Sequence, residues 1–254
     1  MILACLVFAQ TAWASIDFDN TDDVLPCGSA ASLDNLTTLT YTAWINADTL
    51  DGEQAIVYKN DGTDGRFFYA LNGGTGALRM GIDKSILDAN ATSADNTITT
   101  GAWYFVATTW SDGSAPLLYT ATPGVAVAEV TYSGIPTAGT GTNIDDAAGQ
   151  LTIGSRVSLN PFFDGRIDEV CVYNAVLTLA QLQQIAGSQT RRMCLQVASS
   201  SLVGYWSLDD QPDGTSGDGD TFYDRSSGSN NCTGDDGAGN AGLTVRAGEV
   251  VSYP

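Results

Sequence analysis

The side chains in this sequence with the greatest capacity for chemistry are aspartates set in glycine-rich turns. Of 29 acidic residues only Glu53, Glu129, Glu169 and Glu249 are glutamates, so 25 are aspartates, the acid favoured in turns and in calcium loops. Asn60, Asp61 and Asp64 fall in one short stretch holding the turns Asp61-Gly62 and Asp64-Gly65, where backbone carbonyls can turn inward as further oxygen ligands. Asp213, Asp218, Asp220 and Asp224 crowd a second glycine-rich stretch. Both groups are candidate calcium sites, because calcium takes oxygen ligands only. Ordinary turn chemistry is the alternative for the second, and an ion pair from Asp61 to Arg66 or Arg156 is the alternative for the first.

A sugar-binding surface needs an aromatic platform beside hydrogen-bonding groups. Tyr58 near Asn60, and Phe162 with Phe163 near Asn160, meet that description. The candidate ligand-binding set is therefore Tyr58, Asn60, Asp61, Asp64, Arg66, Arg156, Asn160 and Phe162, with the 60–66 loop as the leading location. Trp44, Trp103 and Trp206 lie in strand-like patterns and are expected in the core.

Several kinds of chemistry are excluded. The chain has no histidine, which removes His-dependent nucleophile systems, His-ligated zinc and the usual general base near neutral pH. A formal charge of −19 would repel nucleic acid at every approach.

The elements that must position these residues read as strands. β-branched and aromatic runs recur at Leu39–Ile45, Ala55–Tyr58, Arg66–Leu71, Ala77–Ile82, Trp103–Trp110, Leu117–Thr120, Gln150–Gly154 and Arg166–Tyr173. Between them stand Asp-Gly and Gly-Gly turn signals, a spacing that predicts an all-β sandwich or barrel. One helix is predicted at about 179–186: Thr178 and Gln181 form a capping box, Leu177 and Leu182 take the staple positions, and Leu179, Leu182 and Ile185 form its apolar side. Leu202–Leu208 reads as one more strand, and the tail after it is too poor in core residues to fold alone. We therefore expect residues 202–254 to complete the sandwich, with the strand at 202–208 pairing to one within 16–170.

Met1–Ala14 is apolar, too short to span a bilayer, and ends in Ala12-Trp13-Ala14, which reads as a cleaved signal peptide; a buried N-terminal strand is the alternative. Outside that segment remain Cys27, Cys171, Cys194 and Cys232. An even count in an exported chain predicts two disulfides with three connectivities open.

Four phrases carry a family resemblance. They are Ile16-Asp17-Phe18-Asp19-Asn20-Thr21-Asp22-Asp23-Val24, Leu39 to Asn46 with its Ala43-Trp44-Ile45 centre, Gly101-Ala102-Trp103-Tyr104-Phe105-Val106-Ala107, and Ile153-Gly154 through Phe163-Asp164-Gly165-Arg166-Ile167-Asp168-Glu169-Val170. Residues 16–187 resemble the laminin-G-like, concanavalin A-like lectin/glucanase superfamily. The resemblance implies a two-sheet antiparallel jelly roll spanning residues 15–254. The phrase Leu202–Leu208 with Tyr223-Asp224-Arg225-Ser226-Ser227-Gly228 also resembles family text, although it usually precedes the opening strand and here comes last.

Glucanases of the superfamily carry an E-x-D-x-E strand, and this chain has no two glutamates at that spacing. Asp168 and Glu169 are adjacent, so strand alternation would send them to opposite faces. Pentraxin-like members bind calcium through an Asp-Asn pair and a later acidic cluster; Asn60-Asp61 matches the first half, whereas Ser155-Arg156 stands in place of the second. The expected function is a secreted, non-catalytic module binding carbohydrate or an extracellular surface, with calcium as the implied cofactor. It has no membrane span. The alternative is a structural or adhesive component of an extracellular or virion assembly, including self-assembly into a homo-oligomer.

Overall fold

The computed structural model describes residues 14–60, 65–70, 74–156, 159–187, 193–237 and 242–247. The expected leader lies outside these residues except for Ala14, which opens the first strand.

In chain order the strands begin with β1 (Ala14–Asp19), β2 (Leu25–Pro26), β3 (Thr38–Ala47), β4 (Gln54–Asn60), β5 (Gly65–Ala70) and β6 (Leu78–Ile82). There follow β7 (Ala89–Thr92), β8 (Trp103–Ser111), β9 (Leu117–Ala121), β10 (Ala128–Glu129), β11 (Gln150–Ile153) and β12 (Ser155–Arg156). After β13 (Leu159–Phe162) and β14 (Asp164–Tyr173) comes the helix α1 (Leu179–Ala186). The tail adds β15 (Leu202–Trp206), β16 (Thr221–Phe222), β17 (Cys232–Thr233) and β18 (Thr244–Ala247).

Two large antiparallel sheets form the expected jelly-roll sandwich. One runs β10-β9-β8-β3-β14-β1-β18, with β15 also on β14; the other runs β2-β11-β4-β5-β6-β7. Strand alternation in β3 shows how the layers arise. Leu39, Tyr41, Ala43 and Ile45 enter the core between the sheets, while Trp44 enters a second apolar cluster on the outer face. Outward-facing Thr40 accepts from the Leu177 backbone N–H at 3.0 Å and donates to the Ala175 carbonyl at 2.7 Å, which fixes the segment leading into α1.

α1 starts where its capping box predicts: Thr178 Oγ1 accepts from the Gln181 N–H at 3.3 Å, and Gln181 Oε1 accepts from the Thr178 N–H at 2.9 Å. Leu182 and Ile185 are buried, whereas Leu179, expected on the same side, is exposed. Leu179 is the first helical residue, and the buried stripe begins a turn later. The disulfide Cys171–Cys194 ties this outer layer to β14.

Two tail strands pair into the first sheet. Val170 faces Trp206 and Cys171 faces Tyr205 in the β14–β15 ladder, and Ile16 faces Val245 between β1 and β18. Trp206 is fully buried, and its indole N–H donates to the Asn230 carbonyl at 2.8 Å. A second disulfide, Cys27–Cys232, joins β2 to β17.

Trp44, Ile153, Ile167 and Val170 are buried as expected. Trp103 is a correction, being only partly buried. It opens β8 on the outer face, in the row Arg166–Asn46–Trp103 across three strands, and the Arg166 guanidinium covers its ring at 5.4 Å.

Candidate functional site

At the edge of the second sheet, β2 pairs with β11 through Leu25↔Ile153 and Pro26↔Thr152. Leu25, Leu151 and Ile153 point into the core, so alternation turns Pro26, Gln150 and Thr152 to the outer face. Gly154 follows β11 with a φ of 83°, which suits glycine, and a Cβ there would stand 2.1 Å from the Phe18 ring. β13 returns antiparallel to β12, with Ser155 facing Phe162 and the Phe163 N–H donating to the Gly154 carbonyl at 2.7 Å. Phe162 lines a cleft of about 480 Å³ together with Pro26, Gln150 and Thr152. The same cleft is lined by Asp22 and Val24 from the β1–β2 turn and by Asp235 and Gly237 from the tail.

Those two segments are locked together. Val24 N–H donates to the Asp235 carbonyl at 2.9 Å, the reverse bond measures 3.0 Å, and the Cys27–Cys232 disulfide lies just beyond. The turn itself is organised by Asp19, whose Oδ1 accepts from the Thr21 N–H at 2.9 Å, and by Asp23, whose Oδ2 accepts from the Asp19 N–H at 2.8 Å. Carboxylate oxygens of Asp19, Asp22 and Asp23 consequently lie within 4.8 Å of one another. Asp23 is 0% exposed, and its carboxyl is pushed up to about 7. Loss of hydration on burial is the main cause; the charges of Asp19, Asp22 and Asp236 add to it, and the bond from the Asp19 N–H opposes it.

The wall chemistry of the cleft is an aromatic face, an amide and carboxylates around a space of small-ligand size. A model of the concanavalin A-like lectin/glucanases superfamily matches residues 19–183, well over half of the chain. The chain belongs to that superfamily. Among solved structures, this lectin/glucanase-type chain is similar to a candidate carbohydrate-binding protein from Bacteroides ovatus, at 18% identity and a TM-score of 0.58, over 94% of this chain and 61% of that one. A heptameric SAP-like pentraxin from Limulus polyphemus gives 16% identity and a TM-score of 0.54, over 95% of this chain and 98% of that one. The enzymatically active domain of tailspike protein 2 from bacteriophage CBA120 gives 15% identity and 0.54, over 77% and 30%. At such identities the likeness is one of fold. No curated protein matches the chain.

Of the residues singled out in the sequence, Phe162 is the one among the described residues that lines the cleft. Tyr58 is 4% exposed: it stacks on Phe67 at 6.2 Å between ring centres, and the Arg156 guanidinium lies 5.4 Å over its face. It is thus no open platform for a sugar. Asn60 closes β4 and is buried. Arg66 is buried as well, ion-paired with Asp146 and donating to the Leu33 carbonyl at 2.7 Å, so its acidic partner comes from a distant loop. Asp61 and Asp64, and the side chain of Asn160, lie outside the described residues.

The tail aspartates are not gathered into a metal-sized group among the described residues. Asp224 is instead spent on the backbone, accepting from the N–H groups of Tyr205, Ser226 and Asn230 at 2.8–2.9 Å. The Asp168-Glu169 pair also departs from simple alternation. Glu169 sits at φ 51° in a bulge of β14 and accepts from the Tyr205 hydroxyl at 2.8 Å. Burial raises that phenol, followed by the charge of Glu169 and its hydrogen bond, and by Asp168.

Sequence reasoning missed the acidic turn. Its signal is present in the Asp19, Asp22, Asp23 spacing, inside a phrase that enters the sequence reading only as a mark of the family. Asp235 and Asp236 come from a segment more than 200 residues away, and nothing local joins them to the turn.

Proposed function

We propose that the chain is an extracellular, non-catalytic carbohydrate-binding module whose sugar occupies the cleft between Phe162 and the β2–β11 edge. The observation that carries this reading is that a partly exposed Phe162 lines one cleft with Gln150, Asp22 and Asp235. Apolar sugar faces stack on aromatic rings, and vicinal hydroxyls are satisfied by amide and carboxylate groups. The similarity to the Bacteroides ovatus protein supports a carbohydrate ligand, and two disulfides in a chain of this fold suit an extracellular setting. No helix among the described residues is long and apolar enough to cross a membrane. A cation dependence of sugar binding would enter through Asp22, which belongs both to the cleft and to the acidic turn.

The test is a glycan array run on the full chain with and without calcium, followed by affinity measurement on retained glycans. Phe162→Ala should weaken retention roughly tenfold, the equivalent of about 1.4 kcal/mol. No reducing ends should be released from the retained glycan. An array with no retained glycan, or retention unchanged in Phe162→Ala, would reject the cleft and favour a structural or adhesive role in an assembly.

A further inference from the structure

We infer that the β1–β2 turn and the tail together hold one calcium ion, bound by Asp19, Asp22 and Asp23 with Asp236 as a fourth acidic neighbour. The cluster of acids is only the first of the observations behind it. Asp23 is fully buried, and its Oδ1 has no hydrogen-bond partner, although its Oδ2 is satisfied by the Asp19 N–H. That Oδ1 is aimed into the cluster: a Cβ placed on Gly242 would meet it at 2.9 Å and Asp19 Oδ2 at 2.6 Å, so both oxygens face one small space beside a residue without a side chain. Asp22 Oδ1 is likewise buried without a partner, and Asp236 is 4% exposed. An anionic oxygen sealed from water and from every donor is strongly disfavoured unless a cation compensates it.

The geometry suits calcium. Ligands 2.3–2.6 Å from one ion can stand at most about 5.2 Å apart, and the carboxylate oxygens here lie within 4.8 Å of one another. All the donors are oxygens, which selects a hard cation over zinc or copper. Calcium also accepts irregular sets of oxygen ligands, whereas magnesium demands a near-octahedral one. An ion here joins the first turn to a segment more than 200 residues later, beside the Cys27–Cys232 disulfide. It lies apart from the 60–66 loop and the tail aspartates singled out in the sequence, and it does not depend on any sugar in the cleft.

The experiment is calorimetric titration of the EDTA-stripped full chain with calcium chloride, then magnesium chloride, in the absence of glycan, with thermal melting alongside. We expect one calcium per chain, binding at least tenfold tighter than magnesium, and a rise in Tm with calcium. Asp23→Asn and Asp236→Asn should each weaken calcium binding at least tenfold, while Asp61→Asn and Asp218→Asn leave it unchanged. Should the Asp23 variant fold poorly, Gly242→Ala offers the same test without altering charge: its methyl group displaces the Asp19 and Asp23 oxygens, so calcium affinity should fall while the Tm in EDTA changes little. No saturable calcium binding, undiminished binding in both Asp23→Asn and Gly242→Ala, or loss of binding in Asp61→Asn would overturn the assignment. Because no sugar is present, these outcomes stand whether or not the glycan array succeeds.

Discussion

Around Arg66 the sandwich buries a carboxylate against a cation of its own chain, whereas at the Asp19–Asp23 turn it buries Asp23 beside other carboxylates. Arg66 pairs with Asp146, and Lys59, fully buried, places its Nζ 2.8 Å from Asp34 and donates to the Gly149 carbonyl at 2.7 Å. Asn35 and Asp146 bond each other reciprocally, N–H to side-chain oxygen, at 2.8 and 3.1 Å. This region is complete in itself. At the turn the charges acting on Asp23 are all negative, from Asp19, Asp22 and Asp236. The comparison separates two uses of a buried acid: one fixes a loop, and the other creates a demand for something from outside the chain.

The largest expected effect concerns how the turn is held to the tail. Cys27 and Cys232 are 205 residues apart, and closing so long a loop should contribute up to about 5 kcal/mol by chain entropy. Changing both to serine should lower stability by that order in urea denaturation with EDTA, and calcium should return part of the loss. The Cys171–Cys194 bridge closes a loop of 23 residues and should be worth less, about 3 kcal/mol. If calcium returns none of the loss at Cys27–Cys232, the acidic turn and the tail are not coupled through a cation.

Next in size is the self-compensated region. Asp146→Ala leaves the buried Arg66 guanidinium without its counter-charge, and removing one partner of a buried pair costs about 3–5 kcal/mol. The loss should be the same in calcium and in EDTA, because this region supplies its own cations. A calcium-dependent loss at Asp146 would erase the contrast between the two regions.

Much of the architecture was legible in the sequence because it is written in local periodicity. β3 alternates polar and apolar residues from Thr38 to Ala43, β4 and β8 carry short apolar runs between turn signals, and the capping box at Thr178 and Gln181 marks the start of α1. The site was far less legible. Tyr58 looked like an open platform because a strand residue shows only its alternation, while its cover, Arg156 over the ring, comes from a strand about 100 residues later. Arg66 looked free to serve Asp61 because the two are neighbours in sequence, and its partner Asp146 arrives from 80 residues away. Phe162, an aromatic beside a turn, needs no distant partner to be noticed, and it lines the cleft. What the sequence withheld in each case was long-range packing, which decides whether a polar group is compensated.

The smallest expected effect is also the sharpest on the comparison. Asp23→Asn keeps the size of the side chain and an oxygen able to accept from the Asp19 N–H, but it removes one negative charge from a site where Asp19, Asp22 and Asp236 repel it. In EDTA the variant should therefore be as stable as the parent or more so, by at most about 1 kcal/mol, since a buried charge without a counter-charge opposes folding. In millimolar calcium the order should reverse, because the parent gains stabilisation from an ion that binds the folded state and the variant gains little. The same exchange at the other region, Asp146→Asn, should destabilise in both solutions. Chemical denaturation of the two variants, each in EDTA and in calcium, gives four numbers. A stability loss for Asp23→Asn in EDTA as large as that for Asp146→Asn would mean that the buried acids of the turn are compensated within the chain after all.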